Sequence, residues 1–204
     1  MTIARAVRSE PERELGMSYE LWGPLAGLIG TWESGYDGMD VSFHNDKGKI
    51  SETSFREETT FRPFGPVVNG DQSLYGLDYR TAAYRAGDDA PFHTEVGYWM
   101  WDAANQQVTR NFVMPQAQAL IAGNTVAPNA TTFTLASVIG SNTYGILSNK
   151  HLNDIAHTTR FDVTISITDD TFSYDETTVV EHKHYPTIIM HTDRNTLKLI
   201  RREG

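Results

Sequence analysis

The chain has 204 residues, 39% hydrophobic and 21% charged, the size and make-up of one folded domain, and this excludes a disordered chain. A formal net charge of −9 argues against a nucleic acid or an anionic membrane surface as partner. With no cysteine there is no disulfide framework, no thiolate nucleophile and no cysteine-based zinc or iron–sulfur site.

Residues 1–16 are charged and carry no periodic apolar pattern, so they read as a loose arm ahead of a single domain over 17–204. They lack the apolar core of a signal peptide and no run reaches transmembrane length, so a cytoplasmic location is expected. Next, Leu21, Trp22, Leu25, Leu28 and Ile29 are spaced for one face of a short helix, with Ser18 as its cap, Pro24 near a kink and Gly30 at its end.

From Thr31 onward the pattern is β. Runs of alternating or β-branched residues cover roughly 31–36, 39–44, 50–62, 72–85, 92–102, 107–122, 131–139, 156–168, 171–183 and 195–202. Turn signals separate them, among them Asp37-Gly38, Asn69-Gly70, Gly123-Asn124, Asp169-Asp170 and Asp193-Arg194-Asn195. One less regular section, 141–157, reads as a short helix or an irregular flap. About ten antiparallel strands with short links and no βαβ alternation predict an all-β protein. Closure removes the open edges of so long a meander, so a ten-stranded up-and-down β-barrel with a short N-terminal helix is expected ahead of a two-sheet sandwich. Strand edges at the closure point leave room for a homodimer.

The richest run is PFHTEVGYWMWD, Pro91 to Asp102. As a strand it places His93, Glu95, Gly97, Trp99 and Trp101 on one face, suited to the wall of a barrel that encloses a cavity. His93 and Glu95 then sit close enough to share a proton, either as a satisfied core pair or as pocket lining. His191 follows the apolar YPTIIM and precedes the polar TDRN, which puts it at a barrel rim. There it reads as an axial-ligand candidate or as a turn histidine bonded to backbone. His182 and His184 form an HxH pair read as a solvent-facing strand end in preference to a metal site. His44 reads as turn surface, while His151 and His157 fall in the irregular section. Glu57 and Glu58 face opposite ways, and whichever is buried is expected to pair with Arg56, Arg62 or Arg80. No GxSxG, phosphate-cradling glycine loop or HExxH is present.

Two of these segments carry a resemblance. LAGLIGTWESGYDG (Leu25–Gly38) resembles the "LLGTWxGxG" opening of the nitrobindin-like haem-binding β-barrels, also described as fatty-acid-binding-protein-like or lipocalin-like, and PFHTEVGYW (Pro91–Trp99) resembles their "P-hydrophobic-H-x-E-x-G-F/Y" strand. The likeness runs from about Leu25 to Arg202. It implies a ten-stranded barrel with a helix closing one end and ferric b-type haem in an apolar cavity. By the same resemblance His191 is the iron ligand, and Phe92, His93 and Met114 line the haem pocket. The activity implied is nitric oxide handling or haem-dependent isomerisation of peroxynitrite to nitrate. The alternatives are a haem-free carrier of a lipophilic small molecule such as a fatty acid, and a scaffold for a protein partner.

Overall fold

The computed structural model describes residues 19–44 and 46–202, so the 1–16 arm and the Ser18 cap lie outside the described residues. Tyr19–Leu28 is a run of 3₁₀ turns broken at Gly23, whose φ of 52° leaves the right-handed helical region just before Pro24. Trp22, Leu25, Leu28 and Ile29 are buried as the spacing predicts, but Leu21 is exposed, because the break turns the first residues away from the face that follows.

Twelve strands follow: β1 (Gly30–Glu33), β2 (Gly38–His44), β3 (Lys49–Asn69), β4 (Gln72–Arg85), β5 (His93–Asp102), β6 (Gln107–Met114), β7 (Gln118–Thr125), β8 (Thr132–Val138), β9 (Ile146–Ser148), β10 (Ala156–Ile167), β11 (Thr171–His182) and β12 (Ile189–Arg201). They fill ten positions of a closed antiparallel barrel. β1 and β2 occupy successive halves of one position, each bridging β12 and β3, and the three-residue β9 is a spur on β7. A six-residue helix, α1 (Lys150–Ile155), lies in the irregular section, N-capped by Asn149. No helix among the described residues is long and apolar enough to cross a membrane.

Three stretches differ from the sequence pattern. The run read as one strand over 107–122 is a hairpin, β6 and β7, turned at Pro115 to Ala117, with Ala117 at a φ of 57°. The Gly123-Asn124 segment read as a turn lies inside β7, paired with Thr109 and Val108 of β6. The Asp193-Arg194-Asn195 segment read as a turn is the middle of β12, paired with β11 and β2. Its polar residues are not turn chemistry; residues 193 and 195 face the lumen, where polar partners meet them.

The two ends of the cylinder are built differently. At one end the 3₁₀ run plugs the barrel and packs into Trp32, Leu77, Trp99, Trp101, Val108 and Leu197, all at most 2% exposed. The indole N–H of Trp22 donates to the Gly76 carbonyl at 2.9 Å and that of Trp32 to the Leu28 carbonyl at 2.7 Å, so the plug is bonded as well as packed. Strands β5 and β6 approach so closely at Gly97 that a Cβ there would lie 1.9 Å from the Asn111 carbonyl oxygen. The other end stays open, and it holds the site.

Candidate functional site

The open half encloses a cavity of about 330 Å³, at the small end of the range for ligand pockets. Its rim is partly apolar: Phe55 and Phe92 meet edge to face at 5.9 Å, and Met114 and Leu152 complete that surface. The expectation of an apolar cavity holds in part: side chains such as Phe61, Trp99, Phe112, Phe161 and Phe172 share the lining with five carboxylates, with hydroxyls and with two histidines.

Alternation along the strands explains which side chains arrive there. Each strand gives every second residue to the lumen, so β6 contributes Val108, Arg110, Phe112 and Met114, and β11 contributes Phe172, Tyr174, Glu176 and Thr178. Arg110, 6% exposed, reaches across the lumen. Its Nη2 donates to Glu95 Oε2 at 2.6 Å, its Nη1 pairs with Glu176, and its Nε donates to the Tyr79 hydroxyl at 3.4 Å. Tyr79 in turn donates to Glu95 at 2.8 Å, and His93 Nε2 lies 3.1 Å from the other Glu95 oxygen.

One guanidinium between two buried carboxylates leaves an excess negative charge, and the two acids divide it unequally. Burial opposes ionisation of Glu95, but Arg110 and His93 hold it well below the usual carboxylate range. Burial pushes Glu176 up; Arg110 pulls it back, and the neighbouring charges of Glu95 and Asp193 raise it again, to about 7. Burial works against a charged His93, yet Glu95 raises its pKa.

A second cluster lies on the adjoining wall. Glu176, Asp193 and Asp40 stand directly opposite one another on β11, β12 and β2, three like charges in a row that repel unless cations separate them. His191 is one such cation. Its Nε2 donates to Asp40 at 2.8 Å and Asp193 at 2.9 Å, and although burial disfavours the imidazolium, these two acids raise its pKa to about 10. Asp40, against the cost of its burial, is held below its usual value by His191 and Ser42, while burial and Asp40 push Asp193 up. Elsewhere in the lumen Glu57 is satisfied without any arginine. It accepts from Thr81 at 2.7 Å, Thr59 at 3.0 Å, Tyr174 at 2.6 Å and Asn195 at 3.0 Å. The expected arginine goes instead to exposed Glu58, paired with Arg56.

His191, His93, Phe92 and Met114 all line this one cavity, His191 one-third exposed at the open end. His182 does not face solvent as expected: it is 8% exposed and packs on Phe43 with ring centroids 4.8 Å apart. The sequence pattern does not mark Asp40, Arg110 or Glu176, because a charged residue inside a strand resembles a surface residue, and it hides Asp193 in what reads as a turn. A signal was present in β6, where Arg110 is the single charge on an otherwise apolar alternating face.

Residues 22–198 match the family of THAP4-like, heme-binding β-barrel domains. The chain belongs to this family. Haem is the cofactor by which this family is described. Among solved structures it is similar to Rv2717c from M. tuberculosis, at a TM-score of 0.58 and 19% identity over 88% of this chain and 95% of that one, a likeness of fold. No curated protein sequence matches.

The family's haem can be tested against the residues at hand. The depth of the lumen does not suit it, since a porphyrin there would bury its apolar faces against Arg110 and its acids. The rim does. Phe55, Phe92, Met114 and Leu152 offer apolar surface, and His191 offers imidazole nitrogen beside two carboxylates, a donor set that already stabilises a cation. His191 must release its proton to serve as a ligand. The cavity is small enough that a porphyrin held at the rim would stand partly outside it.

Proposed function

We propose that this barrel binds ferric b-type haem at its open rim, with His191 as the iron ligand and Phe92, His93 and Met114 lining the pocket, and that it handles nitric oxide or peroxynitrite there. The observation that carries this reading is the partly exposed His191 imidazole at the cavity mouth, held between Asp40 and Asp193. When bound, ferric haem supplies a Lewis-acidic iron to a small anionic or diatomic ligand. The protein's own part is to orient and exclude. Asp40 and Asp193 fix the imidazole ring, and by stabilising positive charge beside it they favour the ferric over the ferrous state. The Phe55–Phe92 pair and Leu152 shield one side of the rim from water.

A fatty-acid carrier fits less well. An alkyl chain needs an apolar tube, whereas five carboxylates share the lining of this lumen, and the head group of a fatty acid would add a further acid. Haemin titration tests the assignment. Wild-type protein is expected to give a sharp Soret band with one equivalent of ferric haemin, and His191→Ala is expected to lose it while keeping its far-ultraviolet circular dichroism. A wild-type spectrum identical to free haemin refutes the reading.

A further inference from the structure

Haem at the rim leaves the deep cluster without a task. Glu176 is the group there that is least tied down. One of its oxygens takes Arg110 Nη1, and the other, Oε2, has no hydrogen-bond partner among the described residues. Its side chain keeps 12% exposure and lines the cavity. Arg110 donates once each through Nε, Nη1 and Nη2, so two of a guanidinium's five N–H groups remain uncommitted beside it. Trp99, 1% exposed, lines the same cavity as a flat aromatic wall. Phe112, Phe161 and Tyr174 supply flat walls around these groups. A free carboxylate oxygen and spare cationic donors beside one small hollow make a base next to a ready stabiliser of displaced charge.

We propose that the deep lumen is a cofactor-free proton-transfer site for small, flat, neutral compounds, in which Glu176 takes a proton from carbon and Arg110 faces the atom that gathers the displaced charge. The natural substrate class is an enolisable carbonyl compound undergoing a proton-shift isomerisation. The C–H bond next to the carbonyl breaks, its proton goes to Glu176 Oε2 and its electron pair moves to the carbonyl oxygen as an enolate. Glu176 then returns the same proton at the far end of the conjugated system, so no oxidant, reductant or second substrate is consumed. Five groups face Glu176 and set its proton affinity: Arg110 from β6, Glu95 and His93 from β5, Asp193 from β12 and Tyr174 on its own strand. Burial raises this carboxyl, Arg110 lowers it and Glu95 and Asp193 raise it again, to about 7, so that it exchanges a proton near neutrality.

The test uses haem-free protein and 5-nitrobenzisoxazole as probe. A base removes its single heterocyclic C–H proton, the electron pair completes a nitrile, and the N–O bond breaks to release a coloured phenolate. Wild-type protein is expected to exceed acetate at equal concentration by roughly 100-fold or more. The rate should rise with pH as Glu176 ionises, reach half its plateau near pH 7, and fall roughly 100-fold in Glu176→Gln. Should that variant not fold, the wild-type pH profile decides alone. A rate no better than acetate, a midpoint at an ordinary carboxylate pH, or full activity in a folded Glu176→Gln overturns the proposal. Haemin titration of the same preparation separates the two readings: a Soret band without elimination sinks this one, and elimination without a Soret band sinks the haem assignment.

Discussion

The plugged end and the open end of this barrel are made from the same strands but held by different forces. At the plug, Trp22, Leu25, Leu28, Trp32 and Trp101 exclude water and need no proton to be in any particular place. At the open end, Arg110, Glu95, Glu176, Asp40, Asp193 and His191 are joined inside the barrel by buried and half-buried ion pairs. The contrast teaches that one half supplies stability that ignores pH, and the other half spends part of it on a hollow whose state depends on protons.

The largest expected effect breaks the plug. Trp32→Ala removes a fully buried indole and its bond to Leu28, and urea denaturation should show a loss of roughly 3–5 kcal/mol, equal at pH 5 and pH 8. Arg110→Met attacks the other half. It leaves Glu95 and Glu176 facing each other without their cation, and at pH 8 the loss should approach roughly 3–5 kcal/mol, shrinking clearly at pH 5 as the acids take up protons. If the Arg110→Met loss is equally pH-independent, the contrast between the two ends is wrong.

The smallest effect needs no substitution. Glu176 has a raised pKa in the fold, so its contribution is fully present below about 4.5, its ordinary value, and is lost as pH rises through about 7. His191 is also raised, so its contribution is full below 6.5 and is lost as pH rises through about 10. Both signs agree. Between pH 5 and pH 8 the Glu176 part alone should lower stability by roughly 2–3 kcal/mol, read as a fall in Tm of wild-type protein. Glu176→Gln should flatten that slope, and a slope unchanged in the variant would assign it elsewhere.

Much of this architecture could be read from the residues. Phe161, Val163, Ile165 and Ile167 alternate without exception and are buried in β10 as they predict, and the face of His93, Glu95, Trp99 and Trp101 lines the interior. Local pattern failed where polar residues serve the lumen. TDRN resembles a turn because Asp and Asn favour turns, yet here Asp193 pairs with His191 on its own strand and Asn195 reaches Glu57 on β3. The bridge from Arg110 to Glu176 is invisible for a different reason: it spans 66 residues of sequence, and only barrel closure brings β6 opposite β11.

Gly97 follows Glu95 by two residues on the same face of β5; it pairs with Phe112 across the ladder, and the carbonyl that crowds it belongs to Asn111, one residue beyond Arg110. A single methyl there would wedge the two strands apart, and with them the acid and the base they carry. The least substantial side chain in the wall thereby sets the spacing of its most strongly charged pair, and a harmless-looking alanine at that point should be felt first in the chemistry of the hollow.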